Sequence, residues 1–427
     1  MTAQSGTNST GRVLFASLIG TTIEFFDFYI YATAAVLVFP QLFFPKSDLN
    51  AGTLQSLATF ALAFFARPIG SALFGHFGDR VGRKATLVAA LLTMGLSTVC
   101  IGLLPSYQSI GIAATLLLCL CRLGQGIGLG GEWGGAVLLA IENAPSHKKA
   151  WYGMFPQMGA PLGFMCSTGV FLVLSRHLSD MEFYSWGWRI PFVASAVLVM
   201  VGLYVRLNIE ETPAFQQALD NNERVRVPVL HVFKEHSVTI LIGTFVALAT
   251  FVAFYLMTVF TLDWGTKTLH YSRQEFLIMQ LIAVFALAIA IPVSALIADR
   301  IGRRKMLMIA ALAVVLFGLV FGPLFQSGNK LVVVLFLSLG LAVMGLTYGP
   351  LGTALAEVFP TTVRYTGASI SFNLAGIIGA SMAPTVARWL ATNYGLAYVG
   401  YYLSFAGVLT FIASAFLPNK AKLSRVL

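Results

Sequence analysis

Apolar residues run in stretches of roughly 20, each long enough to cross a ~30 Å hydrocarbon core as a helix, and charge, proline and glycine break them apart. Twelve such stretches are predicted, over 13–39, 53–77, 85–104, 109–140, 151–175, 187–208, 237–262, 274–298, 306–326, 331–356, 366–390 and 397–417. The longest hydrophilic interval, from Glu210 to His236, divides them six and six. The pattern therefore predicts an all-α membrane protein: an N-terminal six-helix bundle over 1–209, a central linker over 210–236 and a C-terminal six-helix bundle over 237–427.

The two halves repeat the same polar signals, which is the mark of duplicated units. Gly78 to Lys84 reads GDRVGRK and Ala298 to Lys305 reads ADRIGRRK, with Asp79 and Asp299 a distance of 299 − 79 = 220 apart. Glu142, Pro145 and Lys149 match Glu357, Pro360 and Arg364 at an offset of 215. Both pairs fall in equivalent loops, after helices 2 and 8 and after helices 4 and 10. Two bundles related by an axis along the membrane normal are implied.

Composition supports the membrane reading, since 57% of the 427 residues are hydrophobic and 10% charged. A soluble core of this length cannot bury so much apolar surface. The net charge of +10 would suggest nucleic acid in a soluble chain, but its placement excludes that partner. With Met1 on the cytoplasmic side, 18 of the 27 Lys and Arg fall in cytoplasmic loops and tails, seven outside and two, Arg67 and Arg122, within spans. That asymmetry places both termini in the cytoplasm. The polar start, Met1 to Gly11, carries no cleavable signal pattern, and the sequon at Asn8 falls on the cytoplasmic side. Cys100, Cys119, Cys121 and Cys166 all lie in apolar stretches without metal-ligand spacing and read as packing residues.

The loop sequence GHFGDRVGRK, Gly75 to Lys84, resembles the GxxxDRxGRK signature of the major facilitator superfamily, and the likeness extends over the whole chain. Other features resemble its metabolite:proton symporter family, which includes α-ketoglutarate, shikimate, citrate and proline/betaine permeases. They are Glu24-Phe-Phe-Asp27-Phe-Tyr29 in helix 1, Arg67-Pro68 in helix 2, Arg122 followed by GQGIGLGGEWGG in helix 4, and WGWRIPF from Trp186. The likeness is nearest to bacterial inner-membrane metabolite permeases without an assigned cargo. It implies alternating access, with the loop residues Gly75, Asp79, Arg80, Gly82, Arg83 and Lys84 and their second copy Asp299, Arg300 and Arg303 holding the cytoplasmic gate shut. Glu132, Glu142, Glu357 and Arg364 join that gate network. Asp79 suits a helix N-terminus, and the basic residues suit carboxylates of the opposing half.

Gly126, Gly128 and Gly131 satisfy GxGxxG, but no strand precedes them and no ribose-binding acid follows. In an apolar helix such glycines let neighbouring helices approach closely. Gly159 to Gly163 in helix 5 reads the same way.

Ionisable groups at bilayer depth face the protein interior and are functional candidates. Glu24 and Asp27, three apart on helix 1, are expected to share a face, with Tyr31 a turn beyond. Two close carboxylates in a dehydrated site disfavour double ionisation, which makes Asp27 the expected proton carrier with Glu24 its partner. A structural carboxylate locked to Arg67 or Arg122 is the alternative. Those arginines stay charged and suit either a substrate carboxylate or simple neutralisation of Asp27, Glu24 and Glu132. The second half shows almost no deep charge, with Asp263 at the outer end of helix 7. It is expected to supply shape through Tyr255, Tyr348 and Asn373. No catalytic constellation is visible, which speaks against an enzyme; the resemblance, with the buried arginines and carboxylates, implies import of a small organic carboxylate with protons, by a monomer of the bacterial inner membrane. The proton serves as coupling ion and no cofactor is expected. A compatible-solute symporter, a passive channel and a drug:proton antiporter remain open.

Overall fold

The computed structural model describes residues 10–44, 49–81, 83–207, 228–360 and 363–418. Among them the chain is helical throughout, as a lipid solvent that cannot hydrogen-bond the backbone requires. The twelve membrane helices are α1 (Thr10–Leu37), α2 (Leu49–Val81), α3 (Arg83–Leu103), α4 (Ile112–Gly130, resumed as Trp133–Glu142), α5 (Lys149–Gln157, resumed as Gly159–His177) and α6 (Ile190–Leu207), followed in the second half by α7 to α12. There α7 comprises Ser237–Tyr255 and Thr261–Lys267, α8 Arg273–Ile301, α9 Arg303–Leu319, α10 Lys330–Val358, α11 Arg364–Ala375 and Ala383–Tyr394, and α12 Leu396–Ala415. Large apolar side chains such as Phe15, Leu120, Ile289 and Phe405 stand exposed on the outside, where lipid covers them.

The packing repeats between halves. α2 lies on α4 as α8 lies on α10, α3 on α6 as α9 on α12, and α1 on α5 as α7 on α11. Most of the central linker lies outside the described residues, with only its last part, Pro228–Glu235, seen as a short helix. Polar residues set the helix ends: Ser272 accepts from the Glu275 amide at 3.2 Å while Glu275 accepts from the Ser272 amide at 3.0 Å, a reciprocal cap for α8. Gly302, at φ 93°, makes the turn from α8 to α9 that an L side chain would resist.

The glycines of α4 act as the sequence predicts. A Cβ on Gly126 would lie 2.3 Å from the Ala63 carbonyl oxygen and one on Gly130 2.0 Å from that of Arg67, so α4 seats backbone to backbone on α2. Gly159 and Gly163 likewise press α5 onto Thr21 and Phe25 of α1. The consequence for the site is rigidity: the helix carrying Arg67 is clamped where Arg67 emerges.

Four spans depart from regular α geometry near the centre. α4 breaks at Gly131 and Glu132, α5 at Met158, while α7 widens to π geometry over Leu256–Phe260 and α11 over Gly376–Ser381. The two π segments follow Tyr255 directly and Asn373 after two residues. Such widened turns gather at functional sites.

Candidate functional site

A narrow cavity of about 40 Å³ lies between the two bundles at these breaks, room for no more than a few waters. Glu24, Arg67, Tyr255, Tyr348 and Asn373 line it, joined by Tyr29, Trp133, Phe254 and Phe372, which sequence reasoning did not single out. Arg67 is buried, its guanidinium carbon 4.8 Å from the Phe28 ring centre and 4.7 Å from that of Phe64, and its Nε has no hydrogen-bond partner. A buried donor left this way is costly unless a bound group meets it.

Asp27 lies elsewhere. It is fully buried inside the N-terminal bundle, outside the cavity lining, so the expectation that it shares surroundings with Glu24 is corrected. Three residues along a helix turn the side chain some 60° past the first, enough here to move it from the cavity wall to the inner bundle. Its Oδ1 accepts from Ser195 Oγ of α6 at 2.6 Å, and its Oδ2 has no hydrogen-bond partner. Among the described residues Asp27 forms no ion pair, so the alternative of a carboxylate locked directly to an arginine is not what the structure holds. Instead Thr98 interacts with it, Gln125 Nε2 donates to Thr98 Oγ1 at 2.8 Å, and Arg122 Nη1 donates to Gln125 Oε1 at 2.9 Å. Arg122 is thus joined to Asp27 through two neutral side chains.

Arg122 and Tyr31 also sit away from the cavity. The Arg122 guanidinium stacks 3.9 Å from the Tyr31 ring centre and 4.3 Å from that of Phe28, with Nη2 donating to the Phe60 carbonyl at 3.2 Å. The Tyr31 hydroxyl donates to Thr59 Oγ1 at 2.8 Å. Phe28 stands between the two arginines.

Contacts between the halves lie on both sides of the cavity. At the end carrying the Asp-Arg loops, Trp133 stacks on Phe372 at 3.7 Å and 4°, and the Tyr365 hydroxyl donates to the Gly131 carbonyl at 2.5 Å. Asn373 Nδ2 donates to Ser71 Oγ at 2.8 Å. Glu132 is buried at the break beside these contacts. Farther out, the Asp299 carboxylate accepts from the backbone amides of Ala150 and Trp151, at 3.0 and 2.9 Å, at the start of α5 in the opposite half. A carboxylate there meets both orphan amides and the positive end of the helix dipole.

Arg303 pairs with Asp299 at 3.2 Å and with Glu357 at 3.7 Å, carboxylates of its own half. Arg300 lines a second cavity of about 250 Å³ beside them. Arg364 donates to the Phe359 carbonyl at 3.3 Å, and Glu142 is exposed at the end of α4. The side chains of the first loop signature, Gly75, Asp79, Arg80, Gly82, Arg83 and Lys84, lie outside the described residues.

At the far end, Arg273 pairs with Asp180 at 2.9 Å and Gln274 Nε2 donates to the Ser175 carbonyl at 2.5 Å. Lys267 Nζ reaches Thr53 Oγ1 of α2 at 2.8 Å. Lys267 also pairs at 2.9 Å with Asp263, whose other oxygen meets Arg388. Asp263 and Arg388 are both buried, a charged pair near the end of α7.

Relatives and folds agree with this architecture. The family model described as Major Facilitator Superfamily matches residues 17–374 and 247–426. The chain is 58% identical over 411 residues to the inner membrane metabolite transport protein YhjE of Escherichia coli (strain K12), covering 95% of this chain and 93% of that one. It is 36% identical to the shikimate transporter of the same organism, covering 90% and 88%, and 32% identical to the proline/betaine transporter of Salmonella typhimurium, covering 96% and 84%. Among solved structures, a proton:xylose symporter bound to 6-bromo-6-deoxy-D-glucose superposes with a TM-score of 0.76 at 18% identity, covering 96% of each chain. The chain, a multi-pass membrane transporter and not an enzyme, belongs to the major facilitator superfamily.

Proposed function

We propose that this transporter imports a small organic carboxylate together with protons by alternating access. The observation that carries the reading is Arg67, a buried guanidinium with an unpartnered Nε on the wall of a cavity between the halves. Arg67 is the carboxylate's ligand, and Tyr255, Tyr348 and Asn373 shape the opposite wall. Asp27 is the proton carrier. In its charged form one carboxylate oxygen stays bare in the bundle, and the Thr98–Gln125 link to Arg122 offsets that charge at a distance. Protonation removes the bare charge and lowers the cost of the occluded, loaded state.

The chain acts as a monomer in a bacterial inner membrane with the Asp-Arg loops and both termini in the cytoplasm, and the linker over 210–236 joins the moving halves. Asp299 at the start of α5 is then the cytoplasmic bolt. Asp299→Asn keeps an acceptor but loses the charge that favours the helix N-terminus, a contribution of about 0.3–1 kcal/mol. The expected result is faster labelling of cysteines placed on the cytoplasmic face of the cavity, and labelling at the wild-type rate would remove Asp299 from the gate.

A second reading, a betaine or proline-type cargo, is favoured by one feature: Tyr29, Tyr255, Tyr348 and Phe254 surround Arg67's cavity with ring faces that attract a quaternary ammonium. Purified protein in proteoliposomes, offered labelled shikimate or glycine betaine under an inward proton gradient, tests both. Accumulation that collapses with an uncoupler supports proton coupling; flux of either solute that only equilibrates, whatever the gradient, points to a passive channel.

A further inference from the structure

The cavity walls carry formal charge on one side only. From the N-terminal half come Glu24 and Arg67; from the C-terminal half come Thr250, Tyr255, Met344, Tyr348 and Asn373 with aromatic neighbours, all neutral. Among the described residues a second guanidinium, Arg122, lies behind Phe28, with Nε and Nη2 donating to the Phe60 carbonyl and Nη1 to Gln125. Arg122 therefore cannot supply a second anion ligand without dismantling the bundle interior. The basic residues around Asp299 are no substitute, since they line a separate cavity.

We infer that the site selects cargo bearing a single carboxylate and rejects di- and tricarboxylates of similar size. This rests on the reading of Arg67 as the carboxylate's ligand. One carboxylate satisfies the bare Arg67 donor in a bidentate or end-on contact. A second carboxylate on the same molecule would meet either Glu24 on the same wall or a neutral aromatic and hydroxyl wall opposite. A buried anion without a cation beside it is strongly disfavoured. The body of the cargo instead meets groups suited to hydroxyls, through Asn373 and the tyrosines, or to a methylated ammonium, through their ring faces. Discrimination of this kind works by rejecting the wrong solute as much as by holding the right one.

The test is equilibrium binding to the purified full chain at neutral pH, read by ligand-induced thermal stabilisation over a concentration series. The probes are cyclohexanecarboxylate and glycine betaine as monocarboxylates, cyclohexane-1,2-dicarboxylate, and propane-1,2,3-tricarboxylate. The expected result is a monocarboxylate bound at least about tenfold more tightly than the dicarboxylate, with no stabilisation by the tricarboxylate. Met344→Lys, which places a cation on the neutral wall, should move the preference toward the dicarboxylate. Dicarboxylate binding to the wild-type chain as tight as monocarboxylate binding overturns the inference while leaving Arg67 as an anion ligand. Failure of every carboxylate to bind overturns the Arg67 reading itself, and the selectivity with it.

Discussion

Asp27→Asn is expected to abolish uphill accumulation of cargo under an inward proton gradient while solute counterflow continues. The amide imitates the protonated carboxyl permanently, so the chain can still occlude and release cargo but has no proton to lose between the two faces. The Ser195 hydroxyl can keep its bond, because the Asn carbonyl oxygen replaces Oδ1. The amide nitrogen takes the place of Oδ2, where no partner is present, which adds an unmet donor costing about 1–3 kcal/mol. A modest fall in melting temperature should accompany the functional loss, and it separates a coupling defect from misfolding. Proteoliposome uptake with and without a pH gradient, beside counterflow at equal pH, reads both. Wild-type accumulation by the Asn variant would transfer the proton to another group, and Glu24 on the cavity wall would be the next candidate.

The choice of Asp27 over Glu24 shows where sequence reading reaches and where it stops. That both acids are candidates is legible from one span, because a charge in an apolar stretch stands out against its neighbours. Their separate surroundings are not, since these depend on which neighbouring helix each side chain meets. Ser195 and Thr98 gave no signal, and Gln125 stood out only as part of the glycine-rich stretch after Arg122. Serine and threonine in membrane helices commonly bond their own backbone, as Thr98 does with the Met94 carbonyl at 3.0 Å, and only the packing of α1 on α6 gives Ser195 its second role. Arg122 was visible as a residue, but its direction was not, and it lies buried against Tyr31 and Phe28, outside the cavity lining.

The twelve spans were legible because every one must satisfy its own backbone and be apolar over a fixed length, a constraint that local sequence carries entire. Their ends moved by a few residues, since α2 and α8 project past the lipid boundary where polar sequence no longer distinguishes helix from loop. The internal breaks were less visible. Gly131 and the small residues of Gly376–Ser381 hint at two of them, whereas Leu256–Phe260 reads as an ordinary apolar run. The repeat of the Asp-Arg loop predicted equivalent gates, and Asp299 does meet a helix N-terminus of the other half. The pairing of Arg303 with Glu357 is not legible in the sequence, because Glu357 lies 357 − 303 = 54 residues away and meets it through the packing of α9 on α10.

Asp263→Asn is expected to cost about 3–5 kcal/mol of stability, the range for breaking a buried ion pair by removing one partner. Asp263 is fully buried and serves two cations: Arg388 on α11, itself buried, and Lys267 one turn along α7 at 2.9 Å. An amide takes away the anion that both cations share. The double variant Asp263→Asn with Arg388→Gln should therefore recover part of the loss, a non-additivity that marks direct coupling. Thermal unfolding in detergent measures both, and a single-variant melting curve that overlays the wild type would show the pair to be energetically idle. The same change reaches function, because Asp263 orients Lys267 toward Thr53 and so ties α7 to α2 at the far end. Lys267→Met separates these effects: it leaves the Asp263–Arg388 pair standing and removes the bond to Thr53 together with the Lys267–Asp263 pair. Its melting temperature should fall less than that of Asp263→Asn, while cysteines on the far-end face of the cavity should label faster.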